Sequence, residues 1–441
     1  MAIYYIDSMN GSNENDGLSK GQPLLNDKSL RPLPGDKILF KRGSFIRGML
    51  NNVSGSEGMP VTYGAYGEGE PPVFCGSVDL TDAGLWHKEE NNIWSCDAVI
   101  NDEVGNFVFD NSEAYGTLRW TKADLKEQGD FYDECFGYSE KKKPVPDKHK
   151  VYLYSKANPA LIYKSIECVT YNTRRLADNG HDMIFENLRF INSGVHAIAG
   201  LAKSRNIKVH NCEFENIGGC VWSYDLKIRF GNGVEFWDVA ENIEINGCYF
   251  NNIYDSAVTH QGMENCKPAE NFIITDNVFK KCGMAAYEQR DKLPLYAVFN
   301  NNICIDAGDG FSKQGEVMPR RSEIWPQPMG HHVFLWRIED KTAGGKLEIK
   351  NNIFYNAPYG AAIYSIISEN AEEQIEIEGN TYYTDNTNLI NRWHCKNYRT
   401  FADYCVEEKK AEYKKGDVNL LVSKLRKGCY KTDNQVLSVK G

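Results

Sequence analysis

"NIEINGCYF", residues 242–250, is one of seven related nine-residue stretches in this chain. Each has apolar residues at its second and fourth positions, a turn-forming centre and an apolar ninth residue. The alternation is typical of a strand, and a centre of Asn, Asp or Gly predicts a bend with left-handed backbone. The other six stretches are residues 182–190, 206–214, 271–279, 296–304, 346–354 and 374–382.

The spacing of these stretches predicts a solenoid. Their starts are separated by about 24, 36, 29, 25, 50 and 28 residues, so a base period near 24 is extended by insertions. Stacking the units in register gives a parallel β-helix with inward ladders of Ile, Val, Phe and Cys. Cys212 and Cys248 share one slot and are expected to stack. A β-propeller would need longer blades, and a sandwich would not keep this constant register.

Four regions follow from the pattern along the chain. Residues 1–100 are interpreted as an N-terminal cap with the first coils, and 101–178 as an inserted β-rich module. Residues 179–390 are the core coils that carry the site. Residues 391–441, which show helical periodicity and many charges, are interpreted as a C-terminal cap. Caps are expected because the open ends of a solenoid expose unpaired strand edges.

Composition excludes some classes of partner and leaves others open. The net charge of −10 over 441 residues disfavours nucleic acid, and no apolar run is long enough to predict a membrane span. Nothing at the start resembles a signal peptide, so we expect a cytoplasmic protein, or a secreted one whose signal has been removed. The 13 cysteines lack metal-ligand spacing and are interpreted as free, core-filling thiols in a reducing compartment. The oligomeric state stays open.

Three further stretches carry a resemblance to a known superfamily: "LRPLPGDKILFKRGSFIRGML" (30–50), "GNGVEFWDVAENIEI" (231–245) and "NNIYDSAVTHQG" (251–262). Together with the repeats, they resemble bacterial right-handed parallel β-helix proteins of the pectin-lyase-like superfamily, in its carbohydrate-active branch. The resemblance covers most of the chain and implies an all-β, right-handed parallel β-helix and a carbohydrate substrate. The superfamily includes lyases, glycoside hydrolases, epimerases and phage tailspikes, so the resemblance leaves the reaction open.

The second half of each coil is expected to hold a strand whose outward side chains line a groove. We align "GNGVEFWD" (231–238) with "YDSAVTHQ" (254–261) so that Glu235 lies beside Val258 and Trp237 beside His260. Val234 and Phe236 then point inward, and Glu235 and Trp237 outward. The predicted face contains Glu235, Trp237, Asp238, Asp255, His260, Gln261, Tyr287 and Glu288.

Acidic residues on this face suggest glycoside hydrolysis, which generally uses two carboxyl groups across the scissile bond. The candidate catalytic residues are Glu235, Asp255, Glu288 and Asp238. The candidate substrate-binding residues are Trp237, His260, Gln261, Tyr287, Trp336, Arg229, Lys313 and Asp309. Each aspartate also fits a turn-bonding role, and Glu288 also fits an ion pair with Arg290 or Lys292. The adjacent His331 and His332 lack partners at metal-ligand spacing, so no metal and no cofactor is expected.

Three functions are carried forward. The first is a glycoside hydrolase that cleaves or transglycosylates an oligosaccharide, favoured because the face holds more acids than bases. The second is a polysaccharide lyase or epimerase acting on uronates, which needs a cationic or histidine base and is supported by Arg229, Lys313 and Arg320. The third is a non-catalytic carbohydrate-binding or tailspike-like protein, which would use the aromatic residues without paired carboxyl groups.

Overall fold

Three long sheets, whose strands follow one another around each coil, form the scaffold. The computed structural model describes residues 1–414 apart from 101, 139–140, 147–148, 172–174, 201–202, 263–265, 314–329, 384–390, 395, 400 and 406. The side chains of residues 313, 401 and 402 also lie outside the description. Within this part of the chain the long sheets are built almost entirely from parallel pairs, so the predicted parallel β-helix is confirmed.

Sheet I takes the first half of every repeat. In spatial order its described strands are Ile3–Ile6, Lys37–Lys41, Val61–Tyr66, His181–Glu186, Ser204–His210, Ala240–Asn246, Glu270–Thr275, Ala297–Asn300, Leu347–Lys350 and Ile375–Glu378. Sheet II takes the second half. Its described strands are Phe45–Arg47, Val73–Cys75, Arg189–Ser193, Glu213–Ile217, Tyr249–Ile253, Val278–Cys282, Ile303–Ile305, Ile353–Tyr355, Thr381–Tyr383 and Glu412–Lys414. All seven predicted repeats therefore span one strand of each sheet.

The corner between sheets I and II explains the polar centre of the repeat. Its sixth residue has left-handed backbone in every copy, with φ from 51° to 70°, a conformation that Asn, Asp and Gly tolerate best. The seventh residue points inward. In the later coils it is asparagine, and the buried side chains form a ladder of hydrogen bonds through Asn277, Asn302, Asn352 and Asn380, which ends at Glu408.

The predicted cysteine stack is confirmed and continues this ladder. Cys212 and Cys248 occupy the same slot as the asparagines, are fully buried and follow one another in register. The amide N–H of Cys248 donates to Oδ1 of Asn277 at 2.9 Å, which joins the two halves of the column. A parallel ladder of stacked phenylalanines runs through Phe190, Phe214 and Phe250, with ring centroids 5.5 and 4.5 Å apart.

Sheet III closes each coil and positions the candidate site. Its described strands, in spatial order, are Ala177–Asp178, Ile198–Ala199, Val234–Trp237, Ser256–Gln261, Ala285–Arg290, His331–Trp336, Ile363–Ile366, Asn391–Trp393 and Lys396–Tyr398. Only the last of these pairs is antiparallel among the described strands. The connections that lead from sheet II into sheet III vary in length, and they include the longest insertions of the chain.

Residues 77–170, between the sheet II strand Val73–Cys75 and the sheet III strand Ala177–Asp178, form two mostly antiparallel sheets. One contains Ala114–Tyr115, Val104–Phe109, Ile166–Thr170 and Ser77–Asp79; the other contains Thr117–Leu118, Asp130–Asp133, Val151–Tyr154, Ile93–Cys96 and Trp86–Lys88. They share a separate apolar core that includes Phe107, Phe109 and Phe131. The guanidinium of Arg229, in the hairpin formed by Cys220–Ser223 and Ile228–Phe230, donates to Gly105 O at 2.7 Å and so joins hairpin and module.

Helices are short wherever the structure describes them. The α-helices are Pro159–Ile162, Glu369–Glu372 and Phe401–Tyr404, and the 3₁₀ turns are Ala83–Leu85, Asp110–Ser112, Lys122–Asp124 and Gly310–Lys313. None of the described helices has the length and hydropathy required to cross a membrane. The eleven described cysteines are free thiols, and ten of them are buried, in line with their expected role as core residues.

Candidate active site

The outward face of sheet III brings Glu235 and Glu288 into one column. Glu235 pairs with Thr259 on the next strand, and Thr259 pairs with Glu288 on the strand after that. The column continues through Phe334 and Tyr364. The two glutamates therefore lie two strands apart on the same face, as the sequence predicts.

The predicted register between the first two of these strands is wrong by one residue. Glu235 lies beside Thr259 instead of Val258, and Trp237 lies beside Gln261 instead of His260. Val258 belongs to the inner core, so the predicted register would have paired an outward residue with an inward one. The outward orientation of Glu235 itself is unaffected, because Val234 and Phe236 are buried in the inner core.

Glu235 is held by a set of hydrogen-bond donors. Nε2 of His196 lies 2.9 Å from Oε2, and the side-chain amide of Gln261 donates to Oε1. Nδ1 of His196 accepts the backbone N–H of Asn232 at 3.1 Å, so the ring proton is placed on Nε2, facing the carboxylate. The His196 ring is therefore oriented with its Nε2–H toward Glu235.

These contacts favour an ionised Glu235. Burial acts to raise the pKa of Glu235, but His196, the positive charge of Arg290 and the hydrogen bond from Gln261 outweigh it. The pKa consequently lies below the ordinary value for a glutamate. A carboxylate that is ionised, oriented and still 13% exposed is suited to act as a base or a nucleophile.

Glu288 occupies a drier part of the face. It is 2% exposed, and it accepts hydrogen bonds from the hydroxyl of Ser256 and from the indole N–H of Trp336, both at 2.8 Å. Beside it lies an outward apolar cluster of Met284, Ala285, Phe334 and Trp336, against which Tyr364 also packs. The rings of Phe334 and Trp336 stack at 5.4 Å.

Thr259 separates the two glutamates. Its side chain is fully buried, and its Oγ1 makes no hydrogen bond to any of the described residues. A buried hydroxyl without a partner is costly, because it has lost its hydrogen bonds to water.

A third carboxyl group lies in the same column on the other side of Glu235. Asp178 pairs with Ala199, which itself lies one strand from Glu235. Nε of Arg175 is in an ion pair with Asp178 Oδ1. Asp178 therefore lies two strands from Glu235, as Glu288 does on the other side. Its carboxylate, however, is already ion-paired with Arg175.

Two of the predicted binding residues point into the coil instead of the groove. His260 and Tyr287 are both fully buried and belong to an inner polar chain with Gln289. Gln289 Nε2 lies 2.9 Å from His260 Nδ1, and the Tyr287 hydroxyl donates to Gln289 Oε1 at 2.8 Å. Burial lowers the pKa of His260 and raises that of Tyr287. Neither side chain reaches the outward face, so their assignment as groove residues is wrong.

The two predicted aspartates lie at turns. Asp238 follows the strand Val234–Trp237 with φ of 68°, and its carboxylate accepts the N–H of Lys267 at 3.3 Å. Asp255 precedes the strand Ser256–Gln261, is 8% exposed, and forms backbone hydrogen bonds with Gly231 and Met284 in the neighbouring coils. The side chain of Asp238 matches the turn-bonding alternative that the sequence left open, and Asp255 lies at the turn where that alternative placed it.

The remaining predicted binding residues are dispersed. Trp237 and Gln261 lie side by side on the outward face, and Trp336 lies there against Glu288. Arg229 is 2% exposed and donates to Gly219 O and Gly105 O, which makes it a structural residue of the hairpin. Asp309 lies 3.9 Å from Lys281 in an ion pair at the start of the long loop. The side chain of Lys313 and all of Arg320 lie outside the described residues.

Several residues beside the glutamates were not predicted: His196, Asn232, Ser256 and Thr259. Arg290 was expected as an ion-pair partner of Glu288, whereas its charge acts on Glu235 and its Nε lies 3.4 Å from Asp291. His196 lies two residues before the short sheet III strand Ile198–Ala199. The sequence did not indicate that His196 lies beside Glu235, because the hairpin at 220–230 lengthens that coil and obscures the spacing between the two residues. Thr259 and Ser256 were missed through the error in register.

Comparison with solved structures agrees with this architecture. A lacto-N-biosidase of family GH136 from Eubacterium ramulus superimposes with a TM-score of 0.53 at 15% identity, over 94% of this chain and 67% of that one. XylC in complex with xylose superimposes with a TM-score of 0.53 at 13% identity, over 88% of this chain and 62% of that one. The two superpositions therefore support the parallel β-helix fold of this chain. This β-helix spans about two thirds of the length of the two structures it matches. No family model and no curated protein matches the sequence.

Proposed function

We propose that the protein is a glycoside hydrolase that cleaves an oligosaccharide at the outward face of sheet III. The observation that carries the proposal is the column Glu235–Thr259–Glu288, in which two carboxyl groups face the same side two strands apart. Carboxyl pairs flanking a glycosidic bond are the general requirement of this reaction.

The spacing supports an inverting reaction. Neighbouring strands are about 4.8 Å apart, so two steps separate the Cα atoms of Glu235 and Glu288 by about 9.6 Å. Inverting enzymes place their carboxyl groups roughly 6.5–9.5 Å apart, which leaves room for a water molecule, whereas retaining enzymes bring them to about 5–5.5 Å. Side chains that lean toward each other across Thr259 would bring this pair into the inverting range.

Roles follow from the surroundings of each group. Glu235, whose pKa is lowered by His196, Arg290 and Gln261 against the effect of burial, is assigned as the base that activates water. Glu288 is assigned as the acid that protonates the leaving oxygen. The hydroxyl of Ser256 can donate or accept, so it can remain bonded to Glu288 in either protonation state. Thr259 is assigned to position the water between them.

The neighbouring aromatic residues support a sugar-binding face. Trp336, Phe334 and Tyr364 continue the column beyond Glu288, and Trp237 lies beside Glu235. Flat apolar rings next to hydrogen-bonding groups suit the faces and edges of a pyranose. The two superimposed proteins are, by name, a lacto-N-biosidase and a protein bound to xylose, which favours a carbohydrate-active enzyme over a purely structural coil.

The lyase alternative has lost part of its support. Arg229 is bonded to backbone carbonyls inside the hairpin and does not reach sheet III's outward face. Arg290 contributes positive charge at Glu235 and contacts the ring of Trp336 at 5.4 Å, and Arg392 pairs with Tyr364 at the far end of the column. A uronate substrate would have to use cations such as these.

A substrate panel tests the class of reaction. The protein is incubated with aryl glycosides, neutral oligosaccharides and polyuronates, while reducing ends and ultraviolet absorbance of unsaturated uronates are followed together. We expect new reducing ends without absorbance, and an initial product anomer opposite to that of the substrate by NMR. Absorbing product would establish a lyase instead. No product on any substrate, with binding retained, would favour the non-catalytic carbohydrate-binding protein.

A further inference from the structure

A second group of reactive side chains lies in the antiparallel module, outside the sheet III column. Asp133 ends the strand Asp130–Asp133, Cys135 follows two residues later, and His149 precedes the strand Val151–Tyr154. Antiparallel pairing of Asp133 with Val151 brings the three together. Their carboxylate, thiol and imidazole atoms lie within 4.8 Å of one another. All three residues are buried, with exposures of 0%, 2% and 5%.

The hydrogen bonds of His149 leave one ring nitrogen facing a carboxylate. Nδ1 lies 3.4 Å from the carbonyl oxygen of Pro146, and because a carbonyl can only accept, the ring proton belongs on Nδ1. Nε2 then presents a lone pair toward Asp133 Oδ1, 3.2 Å away. It makes no hydrogen bond to any described residue. Two acceptors in contact in a buried site repel each other unless a metal ion or a second ring proton lies between them.

Asp133 is fixed in the orientation that this cation needs. Its Oδ1 accepts the N–H of Cys135 at 2.9 Å, and its Oδ2 accepts the N–H of Val104 at 2.7 Å. Each oxygen keeps a second lone pair for another partner. The carboxylate of Asp133 lies within 4.8 Å of the Cys135 thiol, and Glu103 accepts the N–H of Gly137 two residues further on. The surroundings are thus negative and favour a divalent cation.

We propose that Asp133, Cys135 and His149 supply three ligands of a zinc site in the antiparallel module. A thiolate, an imidazole and a carboxylate are zinc's usual ligand types, whereas calcium and magnesium prefer sites made of oxygen alone. An Nδ1–H bonded to a backbone carbonyl is the usual support for a histidine that ligates through Nε2. The sequence spacing gives no sign of this site, because strand pairing, not a short motif, brings the ligands together.

The position of the site gives it a consequence for the groove. The loop between Asp133 and His149 contacts the hairpin that leads into Glu235's strand: the amine of Lys141 lies 3.4 Å from the carboxylate of Asp225 and over the ring of Tyr224. A metal that closes this loop would stabilise the contact. The site lies outside the proposed catalytic column, so zinc has a structural role here and does not take part in the hydrolysis.

Metal content and cobalt spectroscopy test the site without relying on activity. The full chain is stripped with a chelator, titrated with Zn²⁺, and analysed for bound metal and thermal stability. We expect one tightly bound equivalent and a rise in Tm. Co²⁺ in place of zinc should give the near-ultraviolet charge-transfer band of a cobalt–thiolate bond. Less than 0.1 equivalent bound, with no change in Tm and no such band, overturns the proposal.

Matched variants identify the ligands. Cys135→Ser and His149→Gln should each weaken zinc binding by roughly 100-fold or more, and Cys135→Ser should abolish the cobalt band. Cys282→Ser removes another buried free thiol, in a strand of sheet II, and should leave both unchanged. Equal binding by Cys135→Ser would overturn the proposal and leave His149 as a protonated partner of Asp133. If a variant does not fold, the stoichiometry and spectrum of the unmodified chain still decide.

Discussion

Replacing Asn302 by alanine should destabilise the β-helix strongly, because that side chain connects three coils. Asn302 is fully buried, and its Oδ1 accepts the backbone N–H of Asn277 at 3.0 Å. Its Nδ2 donates to Ile274 O at 3.0 Å and to Asn352 Oδ1 at 3.2 Å. The substitution leaves at least one buried donor and one buried acceptor without partners. At about 1–3 kcal/mol for each, the free energy of unfolding should fall by about 2–6 kcal/mol.

The measurement is urea unfolding followed by fluorescence, with native-state hydrogen exchange of the Asn277 amide as a local probe. Asn242→Gly is the matched control. Asn242 belongs to an exposed ladder with Asn206, and glycine keeps its left-handed backbone at φ 54°. We expect the control to cost less than about 1 kcal/mol. A loss for Asn302→Ala no larger than that of the control, with the exchange of Asn277 unchanged, would refute the energetic role of the ladder.

Three further outcomes are expected. His196→Phe removes the Nε2–H donor of Glu235 and should therefore raise the pKa of that carboxyl group. The acid limb of the pH profile of kcat/KM should move upward by about one pH unit. The control His210→Gln, on sheet I, should not move it. Burial lowers the pKa of His332 to about 3, so its contribution to stability is fully present above the unfolded pKa near 6.5 and falls by roughly 1.4 kcal/mol per pH unit below it. Burial also lowers the pKa of His260, so His332→Phe should reduce the pH dependence of the free energy of unfolding without abolishing it. An unchanged slope would contradict the assignment. Tyr287→Phe should lower the free energy of unfolding by about 1 kcal/mol, because the Tyr287 hydroxyl donates to Gln289 inside the coil. It should leave kcat/KM within about twofold. A large fall in kcat/KM would show that Tyr287 acts in the groove after all.

The fold could be predicted because its local rule is repeated. Position six of each repeat needs left-handed backbone, and the residues found there, such as Asn187, Asp276 and Gly379, are those that tolerate it. Alternation around that corner fixes which side chains point inward. The Cys212 and Cys248 stack followed from the same register, since equal slots in neighbouring coils must superimpose.

The site was less predictable, because sheet III lacks such a corner. The paired strands Ser256–Gln261 and Ala285–Arg290 depart from simple alternation: Ala257 and Val258 both belong to the inner core, as do Ala286 and Tyr287. A pattern with period two cannot locate this irregularity, and a slip of one residue exchanges inward and outward side chains. His260 was therefore predicted for the groove, whereas Thr259, its neighbour, lies between the two glutamates.

The central claim is that Glu235 and Glu288 together form a catalytic pair, and kcat/KM of isosteric variants on the best substrate of the panel tests it most directly. Glu235→Gln and Glu288→Gln should each lower kcat/KM by about 10³-fold, within the range for removing a general acid or base, without change in the circular dichroism spectrum. Asp178→Asn, in the same column but ion-paired with Arg175, should stay within about tenfold of the unmodified chain. Full activity in either glutamine variant, or a loss in Asp178→Asn as large as theirs, would contradict the account.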